Sequence, residues 1–312
     1  MPRGSKIGDA FIVLSFGEAF GLLDRRDLRN YATAVAATAV VTELAWLLRA
    51  RRTLVLSGAG ISTDSGIPDY RGPQGSLKKR SPITYTEFMR NEEARRRYWA
   101  RSAIGWPIIS SVQPNRSHHI LAHLEEAGFI GGLVTQNVDG LHRRAGSKKI
   151  VELHGNLERV LCLDCGKQEM REDLQIRILD GNPAWREWQA EEAPDGDAEL
   201  PEDLTDTFVT PRCMHCGGTL KPDVVFFGEN VPAPRVEEVF AQVAESQALL
   251  VLGSSLKVYS GYRFVERAHR LDIPVAIVNL GTTRADSLAS IRVDAPLLEV
   301  LPELSDALGA PA

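Results

Sequence analysis

Cysteine is scarce in this sequence. The 312 residues hold four, Cys162, Cys165, Cys213 and Cys216, in two C-x-x-C pairs with none left over. In a small secreted domain that count would read as a disulfide framework, but this chain is long and carries no secretion signal. Long apolar runs are missing too, since none approaches the roughly 18 residues of a membrane span. Positive charge is not in excess. A formal net charge of −5 gives no electrostatic reason to expect nucleic acid as the substrate. Internal repeats and low-complexity tracts are absent. With 44% hydrophobic residues, the chain can bury a substantial core as one large domain or two unequal ones.

Residues 1–30 carry little signal. The apolar run 10–16 is short, few basic residues precede it, and Asp9 and Glu18 flank it. That argues against a cleaved signal peptide or a transit peptide, so an extension of unknown role is expected, in a cytoplasmic protein. The Ala/Thr-rich stretch 32–41, followed by Glu43 and Arg49, reads as a buried helix.

What is present is a series of short aliphatic runs. Residues 52–56 (RTLVL) end at Ser57-Gly58-Ala59-Gly60, as a buried parallel strand entering a glycine turn does. Comparable runs lie at 132–135, 248–252 and 274–279. Their tips are Gln136-Asn137, Gly253-Ser254-Ser255 and Asn279-Leu280-Gly281. Helical patterns such as 117–127 and 261–271 separate them. Alternation of this kind predicts an α/β fold, a doubly wound parallel Rossmann-type sheet, with ligands at the carboxyl ends of its strands. Two stretches break the alternation: an Arg-, Tyr- and Trp-rich one at 67–115, and 159–221, which holds every cysteine and an acidic middle from Glu191 to Asp206. Together they predict a smaller zinc-binding and helical domain.

The four thiols match the tetrahedral Cys₄ preference of structural zinc. About 47 residues separate the pairs, more than the 15–20 of a compact ribbon, so an insertion fills the gap. His215 falls inside one pair, but a saturated four-thiolate site leaves it no vacancy. The turn Gly58-Ala59-Gly60-Ile61-Ser62 can offer backbone N–H groups to a pyrophosphate. Taken alone it is a weak fingerprint, because the third glycine position is occupied by Thr63.

Residues 57–72 read SGAGISTDSGIPDYRG, which closely resembles the signature of the sirtuin family. Gln136-Asn137-Val138-Asp139 is similar to its QN(I/V)D element, and Leu153-His154-Gly155 to its His-Gly element. Residues 221–229 (KPDVVFFGE), 253–256 and 278–281 follow in collinear order. The resemblance covers about residues 45–300. It implies a catalytic domain over 31–312, with Rossmann parts at about 31–66, 116–158 and 222–312, a helical insert at 67–115 and a zinc module at 159–221.

That resemblance further implies an NAD-dependent protein lysine deacylase with NAD as co-substrate, structural zinc, and acyl-lysine proteins or peptides as partners. No nucleic-acid or membrane partner is expected. His154 takes the place of the general base, with Asn137 beside it orienting a ribose hydroxyl or water. Gln136 contacts ribose, while Val138 and Asp139 belong to the nicotinamide pocket. Gly58, Ala59, Gly60 and Ser62 approach the phosphates. Asp69, Tyr70 and Arg71 belong to a closing loop, in which Tyr70 stands where most members have Phe. Gly253, Ser254, Ser255, Asn279, Leu280, Gly281 and Leu297 fall on the adenosine side. Val225, Phe226, Phe227 and Gly228, with the segment 257–260, flank an incoming peptide held by main-chain bonds.

Tyr98 and Arg101 form a Y-x-x-R pattern, which one sirtuin branch uses for acidic acyl chains. The surrounding residues 96–107 and 182–200 look more like the class II branch, which includes the lipoamidase type. Deacetylation and removal of longer, acidic or lipoyl groups are both open. Three other readings compete. A Rossmann dehydrogenase would want an acid at the end of its second strand. A mono-ADP-ribosyltransferase would use the same NAD site, and a non-enzymatic NAD-sensing zinc module would need no general base.

Overall fold

In the computed structural model, residues 39–69, 82–187 and 205–310 are described. Residues 1–30, most of the stretch 32–41, Tyr70, Arg71 and most of the acidic middle of the zinc insert lie outside them. The chain divides into two units at Val40/Val41, and apart from residues 39 and 40 the architecture below is that of the second.

In chain order the elements begin with α1 (39–50), β1 (Thr53–Ser57), α2 (Tyr85–Arg90), α3 (Glu92–Ser111) and α4 (Arg116–Glu126). Next come β2 (Ile130–Thr135), α5 (Leu141–Arg144), β3 (Ile150–Glu152), β4 (Gly155–Cys162), β5 (Gln168–Met170) and α6 (Arg171–Gly181). The chain closes with β6 (Leu220–Val224), α7 (Ala233–Glu245), β7 (Ala248–Leu252), α8 (Tyr259–Arg270), β8 (Val275–Val278), β9 (Ile291–Val293) and α9 (Leu297–Leu308).

Six strands form one parallel sheet in the order β3-β2-β1-β7-β8-β9. Every residue of β1, β7 and β8 is buried, as expected of strands covered on both faces. The predicted run 248–252 coincides with β7. The run 132–135 gains two residues at its start, and 274–279 loses its first and last positions to turns. The strand order reverses between β1 and β7, so the loops leaving these two strands diverge to opposite sides and open a crevice between them.

Helix α4 is fixed to that crevice by its N-cap, the residue before its first turn. Asn115 Oδ1 accepts from the backbone N–H groups of Ser117 and His118, capping the helix. Its Nδ2 donates to Ile61 O at 2.7 Å and Ser65 Oγ at 3.0 Å, in the turns that follow β1.

A second sheet, antiparallel and three-stranded in the order β5-β4-β6, stands apart from the first. One apolar core draws on both sequence stretches that break the alternation. Phe88, Tyr98, Trp99 and Ile104 from α2 and α3 pack with Val160, Leu174, Ile178, Phe208 and Leu220 from the cysteine-bearing stretch.

Candidate active site

Two strand tips interlock at the floor of the crevice. The Gly58 N–H donates to Leu252 O and the Gly60 N–H to Gly253 O, at 3.0 and 2.8 Å. A Cβ on Gly58 would lie 2.7 Å from Ser254 Cβ, and one on Gly60 would lie 2.8 Å from Gly253 O. These glycines are therefore demanded by the packing of loop on loop. Gly253 sits in the left-handed region at φ +58°, with a Cβ blocked by Ile61 N at 2.7 Å.

The Gln136–Asp139 tip of β2 completes the floor. Gln136 Nε2 donates to Ser254 Oγ at 2.9 Å and to Ser57 O at 3.2 Å. Asn137 Nδ2 donates to Gly58 O and to Ser62 Oγ, whose hydroxyl donates onward to Asp139 Oδ2 at 2.7 Å. Asp139 Oδ1 accepts the Leu141 N–H, which opens α5. Burial pushes the Asp139 carboxyl above the usual carboxylate range, against the pull of these bonds.

His154 lies between β3 and β4. Its Nδ1 is 2.8 Å from Gln136 O and its Nε2 is 2.8 Å from Ser260 Oγ. A carbonyl oxygen can only accept, so in the neutral ring Nδ1 carries the proton and Nε2 presents a lone pair. Burial is the main cause that lowers the imidazole to about 4, so the ring is neutral at pH 7. The His154 carbonyl accepts the Val225 N–H at 2.8 Å, which ties the histidine to the segment after β6.

These groups line one cleft of about 1680 Å³. Its walls hold Gly58, Ala59, Gly60, Asp69, Gln136, Asn137, Val138 and His154, together with Gly253, Ser254 and Ser255. Asn279, Leu280, Gly281 and Leu297 also line it, and there Arg292 braces the turn by donating to Asn279 O while Asp294 accepts the Gly281 N–H. So do Tyr98, Val225, Phe226, Phe227 and Gly228. Ser62, Asp139 and Arg101 are not among the lining residues. Ser62 and Asp139 reach it through Asn137, and Arg101 is buried in α3. Lining residues that the sequence reading did not single out include Asp64, Arg263 and Asp294. Arg263 had a signal in the helical phase, three residues after Ser260.

Val225 and Phe226 serve both the cleft and the core. Val225 packs on the cluster beneath the parallel sheet, and Phe226 on Phe88 and Tyr98, with centroids 5.0 and 5.4 Å away. Lys221, buried, reaches Glu229 at 3.0 Å and sits 4.7 Å over the Phe226 ring. Glu229 in turn accepts the Phe226 N–H, closing the turn through Gly228 at φ +83°.

The four cysteine sulfurs all lie within 4.8 Å of one another, with Cys162–Cys216 at 3.6 Å and Cys165–Cys213 at 3.8 Å. A tetrahedron with metal–sulfur bonds of about 2.3 Å has edges of about 3.8 Å, so these thiols fit zinc; a disulfide would need about 2.05 Å. Each pair ends in a glycine of left-handed conformation, Gly166 at φ +71° and Gly217 at φ +72°, forming two like-shaped turns. His215 is turned to Lys167 Nζ, 3.2 Å away.

A model of the Sir2 family matches residues 58–260. The NAD-dependent protein deacetylase of Xanthomonas campestris pv. campestris (strain 8004) is 51% identical over 253 residues, 81% of this chain and 86% of its own length. The NAD-dependent protein lipoamidase sirtuin-4, mitochondrial, of Bos taurus is 50% identical over 81% of both chains. Among solved structures, a Sir2 bound to acetylated peptide is similar at TM-score 0.68 and 33% identity, over 86% of this chain and 99% of that one. A Sir2 complex with a p53 peptide and NAD+ gives the same score and identity, over 86% and 98%.

Proposed function

The chain belongs to the Sir2 family, and we propose that it is an NAD-dependent protein lysine deacylase, releasing nicotinamide, O-acyl-ADP-ribose and free lysine. The observation that carries this reading is His154. It is a neutral imidazole that lines the cleft, its Nε2 2.8 Å from Ser260 Oγ, and its carbonyl is tied to the segment after β6. Bound NAD supplies an activated ribose carbon, with nicotinamide as its leaving group, and hydroxyls that receive the acyl group.

The chain's own residues do the rest. Gly58, Ala59 and Gly60 keep side chains out of the phosphate path. Gln136, Asn137 and, through Ser62, Asp139 hold the nicotinamide-ribose end, while Ser254, Ser255, Asn279, Leu280, Gly281 and Leu297 hold the adenosine end. His154 takes the proton. Val225–Gly228 and the segment 257–260 take the peptide by its main chain, which tolerates varied sequences. Zinc, held by Cys162, Cys165, Cys213 and Cys216, keeps the smaller core in shape and takes no part in the reaction. Thiols kept free for a metal suit a reducing compartment, and we assign the cytoplasm. No helix among the described residues is long and apolar enough to cross a membrane.

For the acyl group, we favour the class II branch, on the sequence around Tyr98 at residues 96–107 and on the 50% identity to the bovine lipoamidase. The test is product mass spectrometry with NAD and acetyl-, succinyl-, glutaryl-, hydroxymethylglutaryl- and lipoyl-lysine peptides, with His154→Ala as control. Matching nicotinamide and O-acyl-ADP-ribose, lost in the variant, is expected. A clear preference for acetyl would sink the branch assignment. ADP-ribose on protein without deacylation would sink the deacylase.

A further inference from the structure

The lone pair that His154 would use as a base is already occupied. With the ring proton on Nδ1 directed at Gln136 O, the 2.8 Å contact at Nε2 has one polarity: the Ser260 hydroxyl donates and the imidazole accepts. Ser260 lies in the first turn of α8 and lines the cleft, and among the described residues its Oγ has no other partner. Its own lone pairs remain free to accept from a hydroxyl entering the cleft. Gly261 presses on the Gln136 side chain, so the helix turn carrying Ser260 and the peptide unit orienting His154 are held against each other. Nucleophile-to-base and base-to-orienter bonds of this length make up the usual proton-handling triad, here ended by a backbone carbonyl.

We propose that Ser260 is a further catalytic residue, the hydroxyl through which His154 withdraws a proton from the substrate. This rests on the reading of His154 as general base. In the step, the substrate O–H breaks as its proton passes to Ser260 Oγ. The original Ser260 O–H breaks as its proton passes to His154 Nε2. The substrate oxygen keeps the electron pair as an alkoxide, and the imidazole becomes an imidazolium still anchored at Gln136 O. Ser260 ends as it began, a neutral hydroxyl.

The experiment compares full-length wild type, Ser260→Ala and Ser260→Thr, the last keeping the hydroxyl. In protein without NAD, ¹⁵N NMR of the His154 ring reads the bond directly. The Nε2 resonance is expected to move downfield in Ser260→Ala, as a lone pair freed of its donor does. With NAD and acyl-peptide, the single-turnover rate of lysine release should fall about 100-fold in Ser260→Ala, the low end of general acid–base effects. The KM for NAD should stay within about 2-fold, and Ser260→Thr should restore the rate. In mixtures of H₂O and D₂O, the wild-type rate should curve with two protons in flight, and that of Ser260→Ala should be linear. An unchanged Nε2 resonance, or an unchanged single-turnover rate, would overturn the relay. A wild-type protein that releases no lysine would instead defeat the deacylase reading, with the NMR measurement still reporting on the Ser260–His154 bond.

Discussion

Gly261 lies against Gln136 so closely that a Cβ would stand 2.4 Å from Gln136 Oε1. Gln136 holds the β1 tip and Ser254 through its side chain and His154 through its carbonyl. Gly261→Ala should therefore push the Gln136 side chain off Ser57 O and Ser254 Oγ. The expected loss in kcat/KM for NAD is about 10- to 100-fold, with little cost in stability because the end of a flexible side chain gives way. Alanine at Gly181, where a Cβ meets nothing within 4 Å, should leave the activity alone. Steady-state kinetics beside urea denaturation checks both.

Removing one partner of the Lys221–Glu229 pair should cost more than its surface counterparts would. Lys221's side chain is 7% exposed and Glu229's 21%. Glu229→Gln leaves a buried ammonium without its counter-ion, a loss of about 3–5 kcal/mol, or roughly 10 °C in Tm. Glu229→Ala would in addition free the Phe226 N–H and loosen the turn beside the peptide segment. KM for the acyl-peptide should rise well above its wild-type value, with KM for NAD little affected.

Acid should inactivate and destabilise by the same physics. His154 is lowered to about 4 and His118 to about 3, and His142 is held well below its ordinary value, with burial as the first cause in each. Between about pH 4 and 6.5 the unfolded chain binds protons at these rings that the folded chain refuses. Stability must therefore fall as pH drops through that window. The acid limb of kcat/KM should have its midpoint nearer 4 than 6.5. His118→Gln should flatten the slope of urea stability against pH. A slope unchanged in that variant would remove His118 from the account.

Zinc should be structural at the level of the smaller core. Cys162 and Cys213 belong to the same apolar cluster as Tyr98, and Phe226 packs against it. Chelation, or Cys162→Ser, is expected to release one zinc per chain by elemental analysis. Tm should drop by about 10 °C or more, and the aromatic wall of the cleft should loosen. Retained activity with an unchanged melting curve after complete zinc loss would contradict this.

The fully buried strands β1, β7 and β8 could be read in the sequence because burial on both faces leaves an aliphatic run and a polar tip. The edge strands β3 and β9 could not. Each is three residues long, and pairing to a neighbour decides their state more than composition does. The paired cysteines carried their meaning in spacing alone. Ser260 was visible only as a neighbour of the peptide segment, because its contact with His154 spans 106 positions and no local pattern encodes it. In the sequence Gly58 and Gly60 speak only for a phosphate that approaches them. The neighbouring loop that crowds them was hidden until the fold brought Gly253 alongside.

Leu297, in the first turn of α9, lines the same cleft as Gly58, just after β1. The binding cleft is thus shared by segments far apart in the sequence, and neither segment makes it alone. A dinucleotide finds its full set of contacts only where these segments have folded together. Any stabilisation it lends therefore acts as mass action on the folded state. A variant cut before α9 would have the signature motifs intact and yet lack the wall that Leu297 supplies. For this protein, the level of the cofactor should influence how long folded molecules survive.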